Sequence, residues 1–560
     1  MRWQRILEAA GAALVWMLPY FIPLILPGNI VLLHRRLALT HLVGGALLDL
    51  LFLTILGWAV LALLPKLPEM PRFFAGAILV GILLYRVAAV SIALFASSIQ
   101  PPTPSAWSAV QNSFLSHLEN LWPTYSHKVL LVGLGGLIAL SFLSRPTLRY
   151  IVRSVRLGLT AISFCSLWIV PQLFHLAFFL HQTPDFEHSI AQSAPKINRR
   201  VIWLLFDELS YKLIFEHPPY GHEFSNFSKF HSQSTSFTDI VPVGFYTERI
   251  IPSLLADHEV DNVRSTSIGR LQEQDSGRAA WVNFDPNQTL LALAQAKGWS
   301  PGVAGWYFPY CRYFEENLTT CTWNPGVFGG ILPLEQIGAS EQKSIWANSL
   351  VIPRWYLTEL FSPRRDRELD VQSAMREADV QDYQRVTSAA EKLIDNGQVR
   401  FLFIHLPVPH PPGIFNRKTH QLCACGNYLD NLWLADDTLG MLQNEIDKTP
   451  WAGETTVIVS SDHSWRTPMW RASPDWTAEE EQFAQGGFDR RPVFMVHFPG
   501  QKSGEEIAMP TPELMEHDIV EAMLRQQIAS AEEMDAMIRD GGRSAPDTAH
   551  KSSSNLPTGY

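Results

Sequence analysis

The chain has 560 residues, of which 47% are hydrophobic and 18% are charged, and its mean hydropathy is +0.03. This apolar composition predicts a chain that is part membrane and part globular. The first 185 residues carry 12 Lys and Arg against 5 Asp and Glu, whereas the remainder carries 32 against 49. The acidic globular part argues against a nucleic-acid partner, and 5 cysteines are too few for a disulfide scaffold.

The N-terminal third contains long apolar stretches. A membrane-spanning helix needs about 20 apolar residues, and the second, third and fifth stretches meet that length. The first is interrupted by prolines and the fourth is short, but both remain candidate spans. We therefore predict that residues 1–185 form a transmembrane domain of about five helices in the lipid bilayer. The stretches are Ile6–Leu26, Leu37–Leu64, Phe73–Ala96, Val129–Leu143 and Leu157–Leu180.

The distribution of basic residues predicts the orientation of these spans. Residues 145–156 contain four arginines, whereas residues 97–127 contain no Lys or Arg. Because basic loops are retained in the cytoplasm, the first segment is expected inside and the second outside. Five spans then place the chain after about residue 185 outside the cytoplasm. The prediction is a multi-pass protein of the cell (inner) membrane with an extracytoplasmic domain.

The second part, residues 186–538, is predicted to be one α/β domain. Its short apolar runs are typical of buried strands in a mostly parallel central sheet that is covered on both faces. Helix-spaced apolar residues lie between them, and residues 539–560 have the composition of a disordered tail. The predicted strands are Val201–Phe206, Phe401–Leu406, Thr455–Ser460 and Pro492–Phe498, and the predicted helices are Gln381–Asn396 and Leu429–Ile446.

Two pairs of ionisable residues follow predicted strands. Asp207 and Glu208 come after the first strand, and Asp462 and His463 come after the third. Open α/β sheets bind their ligands at the carboxyl ends of strands, so these side chains are expected at one edge. Carboxylates with an imidazole favour Zn²⁺ or Mn²⁺ as a bound metal. Taken alone, each pair also fits an ordinary cap of the following helix.

Four segments resemble, in order, motifs of the sulfatase-like branch of the alkaline phosphatase superfamily. SSDHS resembles its SDHG signature, and RVIWLLFDELS resembles its first strand with a metal-binding acid. HLPVPHPPGIF is similar to its His-Pro-rich substrate loop, and GFYTERIIPSLL to its nucleophile segment. The resemblance covers about residues 199–530 and implies an alkaline-phosphatase-like fold.

The nucleophile segment separates the subclasses. Sulfatases carry Cys or Ser in C/S-x-P-x-R, which is converted to formylglycine, and Gly244–Pro252 has no such motif. Thr247, with Pro252 five residues later, resembles the nucleophile of membrane phosphoethanolamine transferases. Those enzymes and the related lipoteichoic acid synthases carry five membrane helices before an extracytoplasmic catalytic domain. The same arrangement is predicted here from hydropathy.

The resemblance implies a metal-dependent phosphotransferase. Asp207, Thr247, Asp462 and His463 are implied metal ligands, and Glu208 is a further candidate because the acid pair differs from that of the transferases. Strand register favours Asp207 over Glu208. Thr247 would take a phospho-headgroup from a membrane lipid donor and pass it to an envelope glycan or lipid acceptor through a phospho-threonine.

Three further side chains are candidates for substrate contacts. His410 is a candidate for binding the phosphoryl group or protonating the leaving oxygen, and Arg249 and Arg466 for holding phosphate oxygens. An ordinary loop histidine and solvated surface arginines are the alternatives. For Thr247 the alternative is a helix N-cap.

Two other functions remain open. One is a hydrolase of the same fold, a phosphodiesterase or a sulfuric ester hydrolase, in which water replaces the acceptor. The other is a non-enzymatic descendant whose outer domain is structural.

Four cysteines lie in the domain predicted to be outside the cytoplasm, where disulfides persist. Cys311 with Cys321 would close a local loop and Cys423 with Cys425 a very short one, so cross-pairing is an equal alternative. A four-cysteine zinc site is a third possibility.

Overall fold

The computed structural model describes most of the chain after residue 197 and part of the N-terminal third. The described residues are 2–25, 40–69, 76, 79, 145–179, 185–188, 197–265, 270–275, 277, 280–324, 326, 364–473, 475–485 and 487–541.

The helices are numbered in chain order. They are α1 Arg2–Ile25, α2 Thr40–Leu63, α3 Arg145–Ser163, α4 Ser166–Phe179, α5 Ser225–His231, α6 Thr247–Ala256, α7 Leu290–Ala296, α8 Tyr310–Tyr313, α9 Arg364–Asp395, α10 Tyr428–Lys448, α11 Thr467–Trp470, α12 Ala478–Phe483, α13 Met515–Leu524 and α14 Ala531–Gly541.

The strands are numbered in the same way. They are β1 Phe186–Glu187, β2 Arg200–Asp207, β3 Thr235–Phe237, β4 Ile240–Val241, β5 Val260–Ser265, β6 Leu271–Asp275, β7 Val282–Asn283, β8 Pro301–Trp306, β9 Thr320–Asn324, β10 Phe401–Pro409, β11 Phe415–Asn416, β12 Gln421–Leu422, β13 Thr455–Ser461, β14 Phe494–His497, β15 Glu505–Ile507 and β16 Thr511–Pro512.

A nine-stranded sheet organises the domain, in the order β1-β9-β8-β10-β2-β13-β14-β3-β15. The five strands β9, β8, β10, β2 and β13 run parallel to one another. The strands β1, β14 and β3 pair antiparallel to their inner neighbours, so the sheet is mixed. The predicted α/β layout around a large central sheet is confirmed.

The central strands are buried because both faces of the sheet are covered. All eight residues of β2 and all nine of β10 are buried, as their continuous apolar runs predict. At the start of β2, the fully buried Arg200 donates hydrogen bonds to the carbonyl oxygens of Leu393 and Ile394 at the end of α9. A guanidinium thus satisfies carbonyl groups that a helix end leaves unpaired. It also anchors β2 at the end opposite to Asp207.

Both edges of the sheet are short. The strand β1 has two residues and, within the described part of the chain, pairs with β9 alone, and β15 has three residues beside β3. In β15 the side chains of Glu505 and Glu506 are exposed.

Among the described residues of the N-terminal third, two helical segments are long and apolar enough to cross a membrane, by length and composition. They are Val43–Lys66 and Tyr150–His175. The helix α1 packs against α2 and α3, and the buried Glu8 accepts a 3.0 Å hydrogen bond from Arg156. The predicted stretch Val129–Leu143, and all of Phe73–Ala96 except residues 76 and 79, lie outside the described residues. The five-span prediction therefore stays a prediction.

Two predictions from the sequence need correction. The run Pro492–Phe498 forms β14 but lies antiparallel to both neighbours, because a continuous apolar run reports burial on two faces and not strand direction. The tail does not begin at Arg539, since α14 continues to Gly541. Residues 542–560 lie outside the described part of the chain.

The cysteine pairing is local. Cys311 is bonded to Cys321, and Cys423 is bonded to Cys425. Cross-pairing and a four-cysteine zinc site are therefore wrong.

Candidate functional site

Two adjacent parallel strands bring the acidic pairs together. Ser461 at the end of β13 lies opposite Phe206 in β2, so Asp462 and Asp207 follow at the same edge. Both carboxylates are fully buried, and His463 is 3% exposed. The His463 Nε2 atom lies 3.1 Å from Asp462 Oδ2 and 3.7 Å from Asp207 Oδ1. The strand ends thus form a compact group of two carboxylates and one imidazole.

The helix α6 places a hydroxyl against this group. Thr247 is its first residue, and Thr247 Oγ1 donates to Asp462 Oδ2 at 2.7 Å. The same oxygen lies 3.1 Å from His463 Nε2 and 3.5 Å from Asp207 Oδ2. Ile250, Ile251, Leu254 and Leu255 are all buried, so hydrophobic packing fixes the helix below the hydroxyl. The side chain of Thr247 turns into the site and makes no cap hydrogen bond to its own helix.

A further histidine enters the site from β10, and sequence reasoning missed it. His405 lies opposite Leu205 in β2, is fully buried, and places Nε2 3.6 Å from Asp207 Oδ2. Its Nδ1 atom lies 2.9 Å from the hydroxyl of the buried Tyr310. The sequence feature that could have identified His405 is a polar residue inside an otherwise apolar strand.

The charges in this group are strongly coupled. Burial raises the pKa of Asp207 well above its usual range, and the carboxylate of Asp462 raises it further. Burial acts on Asp462 in the same direction, but attraction to His463, the hydrogen bond with it, attraction to His405 and the hydrogen bond from Thr247 together lower the pKa of Asp462. Burial lowers the pKa of His405 to about 4, so its imidazole is neutral near neutral pH.

The donor set fits a divalent cation. Among the described residues, the buried atoms Asp207 Oδ1 and His405 Nε2 have no hydrogen-bond partner. One ligand atom from each of Asp207, His405 and Asp462 lies within 4.8 Å of the others, and the same holds for Asp207, Glu208 and His463. Unpaired buried polar atoms are costly, and a metal would satisfy them. Carboxylate and imidazole ligands suit Zn²⁺ or Mn²⁺.

Glu208 is directed to other partners. Its φ of 67° turns the chain after Asp207, and its buried carboxylate pairs with the guanidinium of Arg466. It also accepts from Trp470 Nε1 at 2.9 Å. Burial would lower the pKa of Arg466, yet Glu208 and then Asp207 raise it. Asp207 therefore has the free carboxylate oxygen, while Glu208 holds an arginine beside the site.

His410 lies at the rim of the same group. Its Nε2 is 4.0 Å from Glu208 Oε1, and its ring contacts those of Trp306 and Trp470 edge-on at 5.1 and 5.2 Å. Burial lowers the pKa of His410 to about 4, although its side chain keeps 20% exposure. A neutral imidazole at this position can donate or accept a hydrogen bond, but it carries no positive charge.

Arg249 lies beside the cluster. Its guanidinium is stacked 4.8 Å from the centre of the Tyr246 ring, on the turn of α6 that follows Thr247.

Another nearby group was not predicted: the hydroxyl of Tyr307 donates to Glu248 Oε2 at 3.0 Å. The φ of Tyr307 is 66°, a left-handed conformation that is rare outside glycine.

Comparisons with known proteins give distant similarities. No protein-family model and no curated protein matches the chain. A solved sulfatase from Pseudoalteromonas sp. is 13% identical, with 59% of this chain and 68% of that chain covered and a TM-score of 0.36. The lipoteichoic acid synthase LtaP from Listeria monocytogenes is 12% identical, with 60% and 75% covered and a TM-score of 0.36.

A third solved structure is a protein in the alkaline phosphatase superfamily from Vibrio parahaemolyticus. It is 12% identical, with 62% of this chain and 70% of that chain covered and a TM-score of 0.33. The predicted α/β layout around a large central sheet is confirmed, and a carboxylate lies at the end of each of the neighbouring strands β2 and β13. Scores this low carry no activity, substrate or mechanism over to this chain.

Proposed function

We propose that this chain is a membrane-anchored, metal-dependent phosphotransferase that works through a phospho-threonine. The observation that carries the proposal is the position of Thr247 Oγ1, which lies within 3.5 Å of Asp207, Asp462 and His463 at the start of α6. A structural threonine would need only the one hydrogen bond to Asp462, whereas three buried titratable groups surround this hydroxyl. A nucleophile needs them, because its hydroxyl must be oriented and its proton released.

The residues proposed to hold the metal are Asp207, Thr247, Asp462 and His463, with His405 as an added ligand. A bound Zn²⁺ or Mn²⁺ would lower the pKa of the threonine hydroxyl and neutralise phosphate charge. Tyr310 fixes the ring of His405 through Nδ1, which leaves Nε2 directed at Asp207. Outer partners of this kind orient metal-ligating histidines.

Asp462 and the start of α6 are proposed to orient the nucleophile and to attract the phosphate. Asp462 stays ionised because its pKa is lowered, and it orients the hydroxyl of Thr247. The start of α6 presents backbone N–H groups and the positive end of the helix dipole to an incoming phosphate.

The chemistry is two in-line displacements at phosphorus. In the first, a bond forms between Thr247 Oγ1 and phosphorus and the bond to the leaving oxygen of the donor breaks; the threonine hydroxyl gives up its proton to solvent and the leaving oxygen takes one up. In the second, the oxygen of an acceptor hydroxyl bonds to phosphorus and the bond to Thr247 Oγ1 breaks; the acceptor hydroxyl gives up its proton and the threonine oxygen takes one up. Donor and acceptor are proposed to be a membrane lipid and an envelope glycan or lipid.

Substrate contacts are proposed for Arg466 and His410. Arg466 is 4% exposed, and Glu208 holds its guanidinium beside the cluster, so its direction is set before substrate binds. His410 offers a neutral N–H between two tryptophan rings. Arg249 is proposed only as an outer contact, because it stacks on Tyr246.

We propose that the two helical segments that are long and apolar enough to span a bilayer belong to a larger membrane domain. We propose that residues 1–185 form a multi-pass domain in the inner membrane and that residues 186–541, up to the end of α14, lie outside the cytoplasm. The two local disulfides suit an oxidising compartment. A lipid donor would then lie in the same bilayer as the enzyme.

The test uses the full chain purified in detergent with Zn²⁺ or Mn²⁺. Wild type, Thr247→Ala and Thr247→Ser are assayed with a nitrophenyl phosphodiester, a nitrophenyl sulfate and headgroup-labelled phospholipids, and the Thr247 peptide is examined by mass spectrometry. Thr289→Ala is the matched control, because Thr289 starts α7 as an ordinary N-cap. We expect phosphodiester or lipid turnover and a phosphorylated Thr247 in wild type.

Thr247→Ala should lose turnover by about 10³-fold or more, as removal of a nucleophile does, while Thr247→Ser and Thr289→Ala keep measurable activity. Full activity in Thr247→Ala contradicts the proposal. Cleavage of the sulfate ester in preference to phosphodiesters would assign a sulfatase-like hydrolase instead. Release of free headgroup phosphate with no acceptor product would assign a phosphodiesterase.

A further inference from the structure

A second group of metal-ligating side chains lies at the opposite end of the nucleophile helix. The helix α6 ends at Ala256, the chain turns through Asp257 in a left-handed conformation, and His258 follows. The hairpin of β5 and β6 packs against α6 and brings Glu273 and Asp275 to this turn. One ligand atom from each of His258, Glu273 and Asp275 lies within 4.8 Å of the others.

The separations within this group are those of metal ligands. His258 Nε2 is 3.3 Å from Glu273 Oε1 and 3.5 Å from Asp275 Oδ1. A charge-assisted hydrogen bond between nitrogen and a carboxylate is shorter, about 2.7–2.9 Å. Tetrahedral Zn²⁺ with bonds of about 2.0–2.1 Å holds its ligand atoms about 3.3 Å apart. The two distances from His258 Nε2 are therefore longer than those of short charge-assisted hydrogen bonds and close to the spacing of ligand atoms around a small cation, and the atoms of Glu273 and Asp275 lie within 4.8 Å of each other.

Burial supplies an independent observation. Glu273 is 5% exposed, and within the described residues its Oε2 atom has no hydrogen-bond partner. The Nε2 atom of His258 is also buried and makes no contact with hydrogen-bond geometry in that part of the chain. A buried carboxylate oxygen without a donor has lost its hydration with no hydrogen bond in return, so a ligand at this point would stabilise the fold.

The other ring nitrogen of His258 is already engaged. Nδ1 lies 3.0 Å from the carbonyl oxygen of Ala256, the last residue of α6. An Nδ1–H donated to that carbonyl leaves the lone pair of Nε2 directed at the two carboxylates. Metal-ligating histidines commonly donate their second nitrogen to a backbone carbonyl in this way.

We propose that His258, Glu273 and Asp275 form a second metal site, which takes one divalent transition-metal ion of the Zn²⁺ class with water at the remaining position. The site does not depend on the function proposed for Thr247, since no ligand is shared. Its ion would tie the last turn of α6 to the β5–β6 hairpin. Because Thr247 is the first residue of α6, the ion would hold the helix that carries the nucleophile from its far end.

The competing state is an ion pair without metal. The nearby Glu273 carboxylate raises the pKa of His258 to about 9, and Asp275 contributes in the same direction. A protonated His258 would then simply bridge the two acids, and zinc binding would have to displace its proton. The two states differ in zinc content, which can be measured directly.

The experiment uses the full chain in a background that carries Asp207→Asn and Asp462→Asn, so that the site at Thr247 is disabled. The chain is stripped with a chelator and dialysed against buffered Zn²⁺, and bound zinc is measured by mass spectrometry of the metal. X-ray absorption at the zinc edge reports the ligand atoms. Glu273→Gln and Asp275→Asn are compared with Glu505→Gln, the same change on an exposed carboxylate of β15.

We expect about one zinc per chain in the background and in Glu505→Gln, with one nitrogen and otherwise oxygen ligands. Glu273→Gln should weaken zinc binding by more than the roughly 10- to 100-fold lost with an outer partner. If Glu273→Gln fails to fold, Asp275→Asn, whose side chain is 20% exposed, gives the same comparison. No bound zinc in the background, or zinc binding in both ligand variants as tight as in Glu505→Gln, would overturn the proposal in favour of the ion pair.

Discussion

Replacing Tyr310 by Phe tests the site through a residue that is not proposed to touch substrate. Tyr310 is fully buried, and its hydroxyl lies 2.9 Å from His405 Nδ1. Tyr310→Phe keeps the ring and its packing and removes one hydrogen bond. Loss of an outer partner of a metal-ligating histidine costs about 10- to 100-fold in metal affinity, or about 1.4–2.7 kcal/mol.

The assay is reactivation of the metal-stripped enzyme with buffered Zn²⁺. The free zinc concentration that restores half of the activity should rise about 10- to 100-fold in Tyr310→Phe, because His405 is no longer held toward Asp207. The rate at saturating zinc should change far less. Tyr313→Phe is the control, since Tyr313 lies on the same short helix and its ring contacts Phe308 at 5.9 Å.

An unchanged half-reactivation concentration in Tyr310→Phe would refute the role given to His405. A fall in the maximal rate with no change in zinc dependence would also contradict it. That result would mean that Tyr310 acts on the substrate and not through the metal ligand.

Two further predictions concern charged groups outside the ligands proposed around Thr247. Glu208→Gln should destabilise the chain by about 3 kcal/mol in denaturation followed by tryptophan fluorescence, because it leaves the buried Arg466 without its main partner. The double variant Glu208→Gln/Arg466→Met should lose less, and an equal loss would show that the pair is not the cause. In metal-free protein, His258 has a pKa raised to about 9, so its stabilisation is present below pH 6.5 and is lost as the pH rises through 9. The free energy of unfolding should therefore fall between those pH values in wild type and not in His258→Gln, and parallel curves would contradict this origin.

The strands of the fold were predictable because burial leaves a simple mark in the sequence. The runs Val201–Phe206, Phe401–Leu406 and Thr455–Ser460 lie within β2, β10 and β13. Direction was not predictable for β14, since apolar runs look alike in either orientation. The mixed character of the sheet depends on chain connections that local patterns do not encode.

The site was predictable where its residues follow strand ends. Asp207, Asp462 and His463 are adjacent because β2 and β13 are neighbours, and Thr247 came from the motif resemblance. His405 was missed because it lies inside a strand, where only the register with β2 shows that its ring reaches Asp207.

The partners of the two arginines could not be predicted either. Arg249 and Arg466 are both close in sequence to a site residue, but the guanidinium of Arg466 pairs with Glu208 whereas that of Arg249 stacks on Tyr246. Side-chain direction of this kind depends on tertiary contacts.

The two ends of the large sheet bear on self-association. An exposed, long, flat edge strand offers unpaired N–H and C=O groups to another chain, which leads to aggregation. Here β1 provides two residues and β15 three, with two exposed glutamates in β15. Such ends are too short and, at β15, too negatively charged to template a further strand. Even at high protein concentration the chains would therefore resist edge-to-edge pairing of their sheets, although the five inner strands are among the most apolar parts of the domain.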